Sequence, residues 1–177
     1  VSESSTSNRR TTGPDATGRD LTKPMTEVEQ VVQASAHRVF AELSDGWAYT
    51  GWVVGAVHIR DVDAGWPEPG SKIHHKVGCW PFSVSDDTES LECEPDRRLV
   101  LQARGWPVGE ATVEILLEEQ ADGTTLVRMR EAPTAGPASQ FDNPALRWLL
   151  RVRNVEALRR LRDRSENRPE PHYYEPQ

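Results

Sequence analysis

The sequence predicts an α+β domain in which a curved antiparallel sheet of about seven strands holds a long C-terminal helix, with two short helices after the first strand. Three observations predict it. Turn signals recur so closely between β-prone runs that hairpins must join them. Apolar residues alternate with charged ones along the later runs, and one segment near the C-terminus has the length and spacing of a covering helix.

The first strand is read at Thr26–Ala34 (TEVEQVVQA). Ser35 then stands as the N-cap of a short helix carrying Val39, Phe40 and Leu43, because its hydroxyl can satisfy an N–H that the first turn leaves unpaired. Trp47, Tyr49 and Trp52 follow among Gly46, Gly51 and Gly55, a stretch too glycine-broken for more than a turn or brief helix. Strand-like runs come next at Ala56–Val62, Ser71–Val77, Phe82–Glu94, Arg98–Arg104, Glu110–Glu119 and Thr124–Glu131. Trp66-Pro67-Glu68-Pro69-Gly70, Cys79-Trp80-Pro81, Glu94-Pro95-Asp96, Trp106-Pro107 and Ala121-Asp122-Gly123 separate them as turns.

Successive side chains on a strand point to opposite faces, so the alternation identifies the buried one. Ala111, Val113, Ile115 and Leu117 alternate with Glu110, Thr112, Glu114 and Glu118, broken only by Leu116, and Val127 and Met129 alternate with Arg128 and Arg130. The apolar face needs a cover, and Pro144–Arg164 supplies it. Asn143 is placed to cap this helix, Pro144 suits its first position, and Arg159, Arg160, Arg162 and Arg164 suit the negative end of its dipole. Leu146, Leu149, Leu150, Ala157 and Leu161 gather into one stripe for the sheet. Trp148, Val152 and Val155 lie nearly opposite, where they meet loops, a strand edge, or a partner such as a second copy in a homodimer.

With 177 residues the chain fits one domain, read at 25–165, between disordered tails at 1–24 and 166–177 that have little apolar surface to bury or are broken by proline. A net charge of −7 argues against a nucleic-acid partner, and no apolar run is long enough for a secretory signal or a membrane span, so a cytoplasmic location is expected. Cys79 and Cys93 have neither metal-knuckle spacing nor the number for a disulfide framework, and are expected to remain thiols. The GxSxG, GxxxxGK[ST] and GxGxxG signatures of serine hydrolases, NTPases and dinucleotide enzymes are absent from the sequence, and no cofactor is implied.

Polar exceptions on the apolar faces are the candidates for chemistry. Ile73, His75 and Val77 share one face and Lys72, His74 and Lys76 the other, which assigns His75 to the interior. Neighbouring histidines on a strand cannot easily share an ion, so no metal site is expected. His75 is either a satisfied core histidine or a ligand-orienting group. Glu131 continues the inward register of Val127 and Met129, and is either a wet rim glutamate or a buried acid, base or anchor. Asp61/Asp63, Asp86/Asp87 and Glu118/Glu119 read as solvated charges at strand ends and turns. The six tryptophans, mostly beside Gly or Pro, pack loops on the sheet or contact a ligand.

The order of elements, together with WPEPGSKIHHKVGCWP (Trp66–Pro81), Arg97-Arg98-Leu99-Val100-Leu101, GTTLVRMRE (Gly123–Glu131) and RNVEALRRL (Arg153–Leu161), resembles the START-like helix-grip superfamily, and within it the polyketide cyclase/dehydrase-type SRPBCC proteins. Members carry lipids, bind hormones, or cyclise or dehydrate polyketides. The resemblance implies a cavity between the concave face of the sheet and the long helix, with Trp47–Trp52 in its wall or lid. The family's cyclases hold and polarise a poly-β-ketone with polar side chains that often include tyrosines, whereas Tyr49 is the only tyrosine here outside the C-terminal tail.

The leading expectation is therefore binding of a small hydrophobic or aromatic molecule. Trp47, Tyr49, Trp52, Val113, Ile115, Val127, Met129, Leu146 and Leu150 would form the walls, and His75 and Glu131 would orient the ligand. The alternatives are an enzyme of the polyketide cyclase, aromatase or dehydratase sort, using His75 and Glu131 as an acid–base pair, and a structural or assembly role through Trp148, Val152 and Val155.

Overall fold

Strand β1 (Thr26–Val32) leads into helix α1 (Ala36–Ser44), a 3₁₀ turn (Gly46–Ala48) and the short helix α2 (Tyr49–Trp52). Six further strands follow: β2 (Ala56–Val62), β3 (Lys72–Cys79), β4 (Phe82–Glu94), β5 (Arg98–Gly105), β6 (Gly109–Glu119) and β7 (Thr125–Ala135). Helix α3 (Pro144–Asn167) comes last. The structure, a computed structural model, describes residues 26–79, 82–105, 109–135 and 144–167. The expectations for residues 1–24, Trp80, Trp106, Asn143 and the segment after Asn167 lie outside the described residues, as does the side chain of Cys79.

The sheet runs β1-β7-β6-β5-β4-β3-β2 with every neighbouring pair antiparallel. Consecutive hairpins build β2 to β7, while β1 and β2 take the two outer edges. The segment between β1 and β2 must therefore cross the sheet, which is why α1 and α2 are found there rather than a tight turn. Ser35 caps α1 as expected, its Oγ accepting from the Arg38 N–H.

Val28, Val32, Leu99, Leu101, Ile115, Val127 and Met129 from the sheet meet Val39, Phe40 and Leu43 of α1 and Ala157, Leu158 and Leu161 of α3 in one core. The buried ridge of α3 is Leu150, Asn154, Ala157, Leu158, Leu161 and Ser165. This differs from the expected stripe. Leu149 is 56% exposed and Leu146 half-buried, whereas Leu158, absent from the expected stripe, is fully buried. Leu149 sits about 100° round the helix from Leu150, which is enough to turn it away from the core. Trp148, Val152 and Val155 are exposed on the outer side.

Helix α3 also runs two residues past the expected domain end at 165, through Glu166 and Asn167. Two polar ties near its C-terminus explain the extension. Glu166 Oε1 accepts from the Gln33 N–H at 2.8 Å, and Arg164 Nε donates to Glu42 Oε2 at 2.9 Å, where Glu42 is fully buried. At the other end Arg151 Nη1 donates to the Glu27 carbonyl at 3.0 Å. The helix is thereby held along β1, and its middle turns pass over the end of the sheet where Glu131 lies.

Candidate functional site

A cavity of about 290 Å³ lies between the concave face of the sheet, helix α2 and the N-terminal half of α3. Its walls are mainly apolar: Val113 and Ala111 from β6, Met129 from β7, Leu101 from β5, and Leu146 and Leu150 from α3. Leu149 and Gly55 line it and are also exposed, so they mark its mouth. Towards Leu117 and Val127 the space is filled instead by α1 and the later turns of α3, which ends the cavity there.

Eight of the residues expected to line a ligand site are on this wall: Tyr49, Trp52, His75, Val113, Met129, Glu131, Leu146 and Leu150. Ile115 and Val127 are not. Both are fully buried in the core, one step further along β6 and β7 than the cavity extends. Trp47 is not on the wall either and is 61% exposed. Helical spacing explains this, because Tyr49 and Trp52 are three positions apart and share a face, whereas Trp47 is two positions from Tyr49 and faces away.

Besides the Arg104–Glu110 pair, whose Nε and Oε1 lie 3.2 Å apart, two polar clusters interrupt the apolar wall. In the first, Thr88 Oγ1 lies 3.0 Å from Tyr49 Oη and 3.0 Å from His75 Nε2. The Tyr49 ring stacks on the His75 imidazole at 5.5 Å between centroids and meets Trp52 edge-on at 5.4 Å. Burial pushes the His75 pKa below its ordinary value of 6.5, although Asp86 and Asp87 pull it the other way. Burial likewise raises the Tyr49 phenol above 10, so at neutral pH the ring is imidazole and the phenol keeps its proton. His75 Nδ1 and Trp52 Nε1 are buried without a hydrogen-bond partner.

In the second cluster Glu131 is 2% exposed, so it is not a wet rim residue. Arg153 Nη2 donates to both of its oxygens at 2.6 Å, and Asn154 Nδ2 donates to Oε2 at 2.7 Å. Arg153 reaches in from the rim with its side chain 38% exposed, and therefore keeps part of its hydration. Both carboxylate oxygens therefore accept hydrogen bonds, one at Oε1 and two at Oε2.

Thr88, Arg153 and Asn154 are the site residues that the sequence reading missed. Cys79 pairs with Phe82, so every partner pair in the β3–β4 hairpin follows from that turn and Thr88 falls opposite Ile73, on the His75 face. Asn154 is four residues after Leu150 and three before Ala157, a polar exception on the buried stripe. His74, by contrast, faces out, its Nε2 3.4 Å from Asp63 Oδ1, which places the two adjacent histidines on opposite sides of the sheet.

A curved seven-stranded antiparallel sheet gripping a long C-terminal helix, with a cavity between them, defines a START-like helix-grip protein. Within that class the chain belongs to the activator of Hsp90 ATPase homolog 1-like family, whose model matches residues 33–146. Its fold is similar to that of protein CV1439 from Chromobacterium violaceum, at 17% identity and TM-score 0.59 over 83% of this chain and 99% of that one. It is also similar to CalU16 from Micromonospora echinospora, at 20% identity and TM-score 0.55 over 77% of this chain and 73% of that one. DynU16, from the dynemicin biosynthetic locus, matches at 19% identity and TM-score 0.60 over 81% of this chain and 47% of its own. No curated protein matches the chain significantly.

Proposed function

We propose that the protein binds a small, mostly apolar molecule in the cavity beneath α3. The observation that carries this reading is the cavity itself. A space of about 290 Å³ lies beside the packed core, and its mainly apolar wall holds a few convergent polar groups. The kinship in fold with DynU16, a protein of a biosynthetic locus, supports a biosynthetic small molecule as the occupant. Catalysis by His75 and Glu131 as an acid–base pair has less support, because both oxygens of Glu131 already accept hydrogen bonds from Arg153 and Asn154, which compete with a substrate proton. Native mass spectrometry of the protein purified from its own host tests the reading. A small molecule retained by the parent, and lost when Val113→Trp fills the cavity, supports it. Parent protein that carries no ligand and takes up none from a panel of apolar compounds refutes it.

A further inference from the structure

The outer face of α3 carries an apolar strip. Trp148, Val152 and Val155 recur at helical spacing and are all exposed, on the side away from the buried ridge of Leu150, Asn154, Leu158 and Leu161. Contiguous apolar surface of this kind is rarely left to water.

The charge around the strip is positive. Among the described residues Arg151 hydrogen-bonds a neutral carbonyl, that of Glu27, and no carboxylate. Arg159 and Arg160 both donate to the one carboxylate of Glu156. Over its whole length α3 has seven arginines against three acidic residues, although the chain as a whole has a net charge of −7. An apolar strip set among surplus arginines fits an occupant that is both apolar and anionic.

A second copy does not meet that description, because its own α3 would bring the same surplus of arginine to the contact. Residues 1–25 do not meet it either, since they hold no aromatic residue and four basic side chains against three acidic ones. The ten residues after Asn167 do. In Arg168–Gln177 (RPEPHYYEPQ), Tyr173 and Tyr174 stand between Glu170 and Glu175, and Arg168 is the only Lys or Arg. Prolines at 169, 171 and 176 favour an extended backbone, which costs less entropy to lay along a surface than a free coil does.

The lengths agree. At 1.5 Å per residue Arg159, Val155 and Val152 lie about 12, 18 and 22 Å back along the helix from Asn167. A segment that reverses within one or two residues and then extends at about 3.1 Å per residue carries Tyr173 back about 12–16 Å, Tyr174 about 16–19 Å and Glu175 about 19–22 Å.

We propose that Tyr173–Glu175 folds back along the outer face of α3, with Tyr173 over Arg159, Tyr174 on Val155 and Val152, and Glu175 among the arginines that flank the strip. Each tyrosine ring then covers apolar surface and Tyr173 also meets a guanidinium, while the two glutamates offset charge that Glu156 alone does not. The segment straps the helix that brings Leu150 and Asn154 into the cavity wall.

The chain has three tyrosines, so 3-fluorotyrosine labelling of the full chain gives three fluorine resonances, one from the buried Tyr49 and two from the segment. Their loss in Tyr173→Phe and Tyr174→Phe identifies the latter two. Both are expected to lie away from the positions they take in the free peptide Arg168–Gln177, at every protein concentration. Val155→Asp or Val152→Asp, each at an exposed position, should return them to the peptide positions while the Tyr49 resonance stays where it was. Glu170→Lys combined with Glu175→Lys should move them part of the way. Segment resonances at the peptide positions in the parent chain, or displaced ones that neither aspartate variant moves, overturn the proposal. Displacement that disappears on dilution gives the face to a second copy and overturns it as well. The comparison of parent chain with free peptide stands even if a variant fails to fold.

Discussion

Asn154 Nδ2 donates to Glu131 Oε2 at 2.7 Å and so joins the middle of α3 to the inner face of β7 inside the cavity wall. The bond converts a buried carboxylate from a liability into a fixed point. At 2% exposure a carboxylate is costly to bury without charge-assisted donors, and Arg153 beside Asn154 brings the compensating charge to Glu131. The same pairing explains why the helix lies over this end of the sheet with a definite register.

The asymmetry of the pair gives the first prediction. Arg153→Ala leaves the buried Glu131 with only Asn154, and is expected to cost about 2–3 kcal/mol, the lower part of the range for a broken buried pair because Arg153 is partly hydrated. Glu131→Gln leaves Arg153 free to turn outward into water, and is expected to cost less, about 1 kcal/mol. Urea unfolding at neutral pH measures both. Equal losses would mean that the carboxylate is not dependent on Arg153.

The parts legible in the sequence and the parts that were not differ in their physics. Strand alternation placed His75 and Glu131 inward, since a two-residue period leaves only two faces to choose from, and both are buried. Ser35 was legible because a cap is a local bond. The partners of Glu131 were not, because Arg153 and Asn154 meet it only once α3 has docked, 22 and 23 positions along the chain. Trp47, which the resemblance placed in the cavity wall or lid, is exposed because its angular place on the turn points it away from Tyr49 and Trp52. Ile115 and Val127 are apolar and inward as expected, but the reach of α1 rather than their own character decides where core ends and cavity begins.

Leucines on α3 provide a second test. Leu161 is fully buried in the core, whereas Leu150 borders the cavity at 8% exposure. Leu161→Ala opens a new void in a close-packed region and is expected to cost about 3–5 kcal/mol, against about 2 kcal/mol for Leu150→Ala, which enlarges a space already present. Chemical denaturation of the two variants checks the order. A larger loss at Leu150 would mean that the cavity is closed in solution.

The third prediction concerns pH. Burial holds the pKa of His75 below 6.5, so between the folded value and 6.5 the unfolded chain binds a proton that the native protein does not. Stability from this group is complete above about pH 6.5 and falls as the pH drops towards the folded pKa. Unfolding midpoints compared between about pH 7.5 and pH 5.5 should show this decline in the parent, and His75→Gln should make it shallower. An unchanged slope in the variant would place the pH dependence elsewhere.

Gly51 and Arg164 yield the last prediction, in which the sign of a common substitution is reversed. Alanine normally stabilises a helix relative to glycine by up to about 1 kcal/mol, and Gly51 lies within α2. Here a Cβ would come within 2.6 Å of Arg164 Nη1 and 3.0 Å of its Cζ. The arginine is flexible and 39% exposed, so it can swing aside, but doing so breaks its 2.9 Å bond to the fully buried Glu42. Losing a charge-assisted bond to a buried carboxylate costs more than the helix gains, and Gly51→Ala is expected to destabilise the protein by about 1–2 kcal/mol. In an Arg164→Ala background neither clash nor bond remains, and the same substitution should become neutral or stabilising. The double-mutant cycle, followed by urea unfolding, should therefore give a coupling of at least about 1 kcal/mol between the two positions. Additive effects would show that α2 and the C-terminal turns of α3 are not held together through this contact.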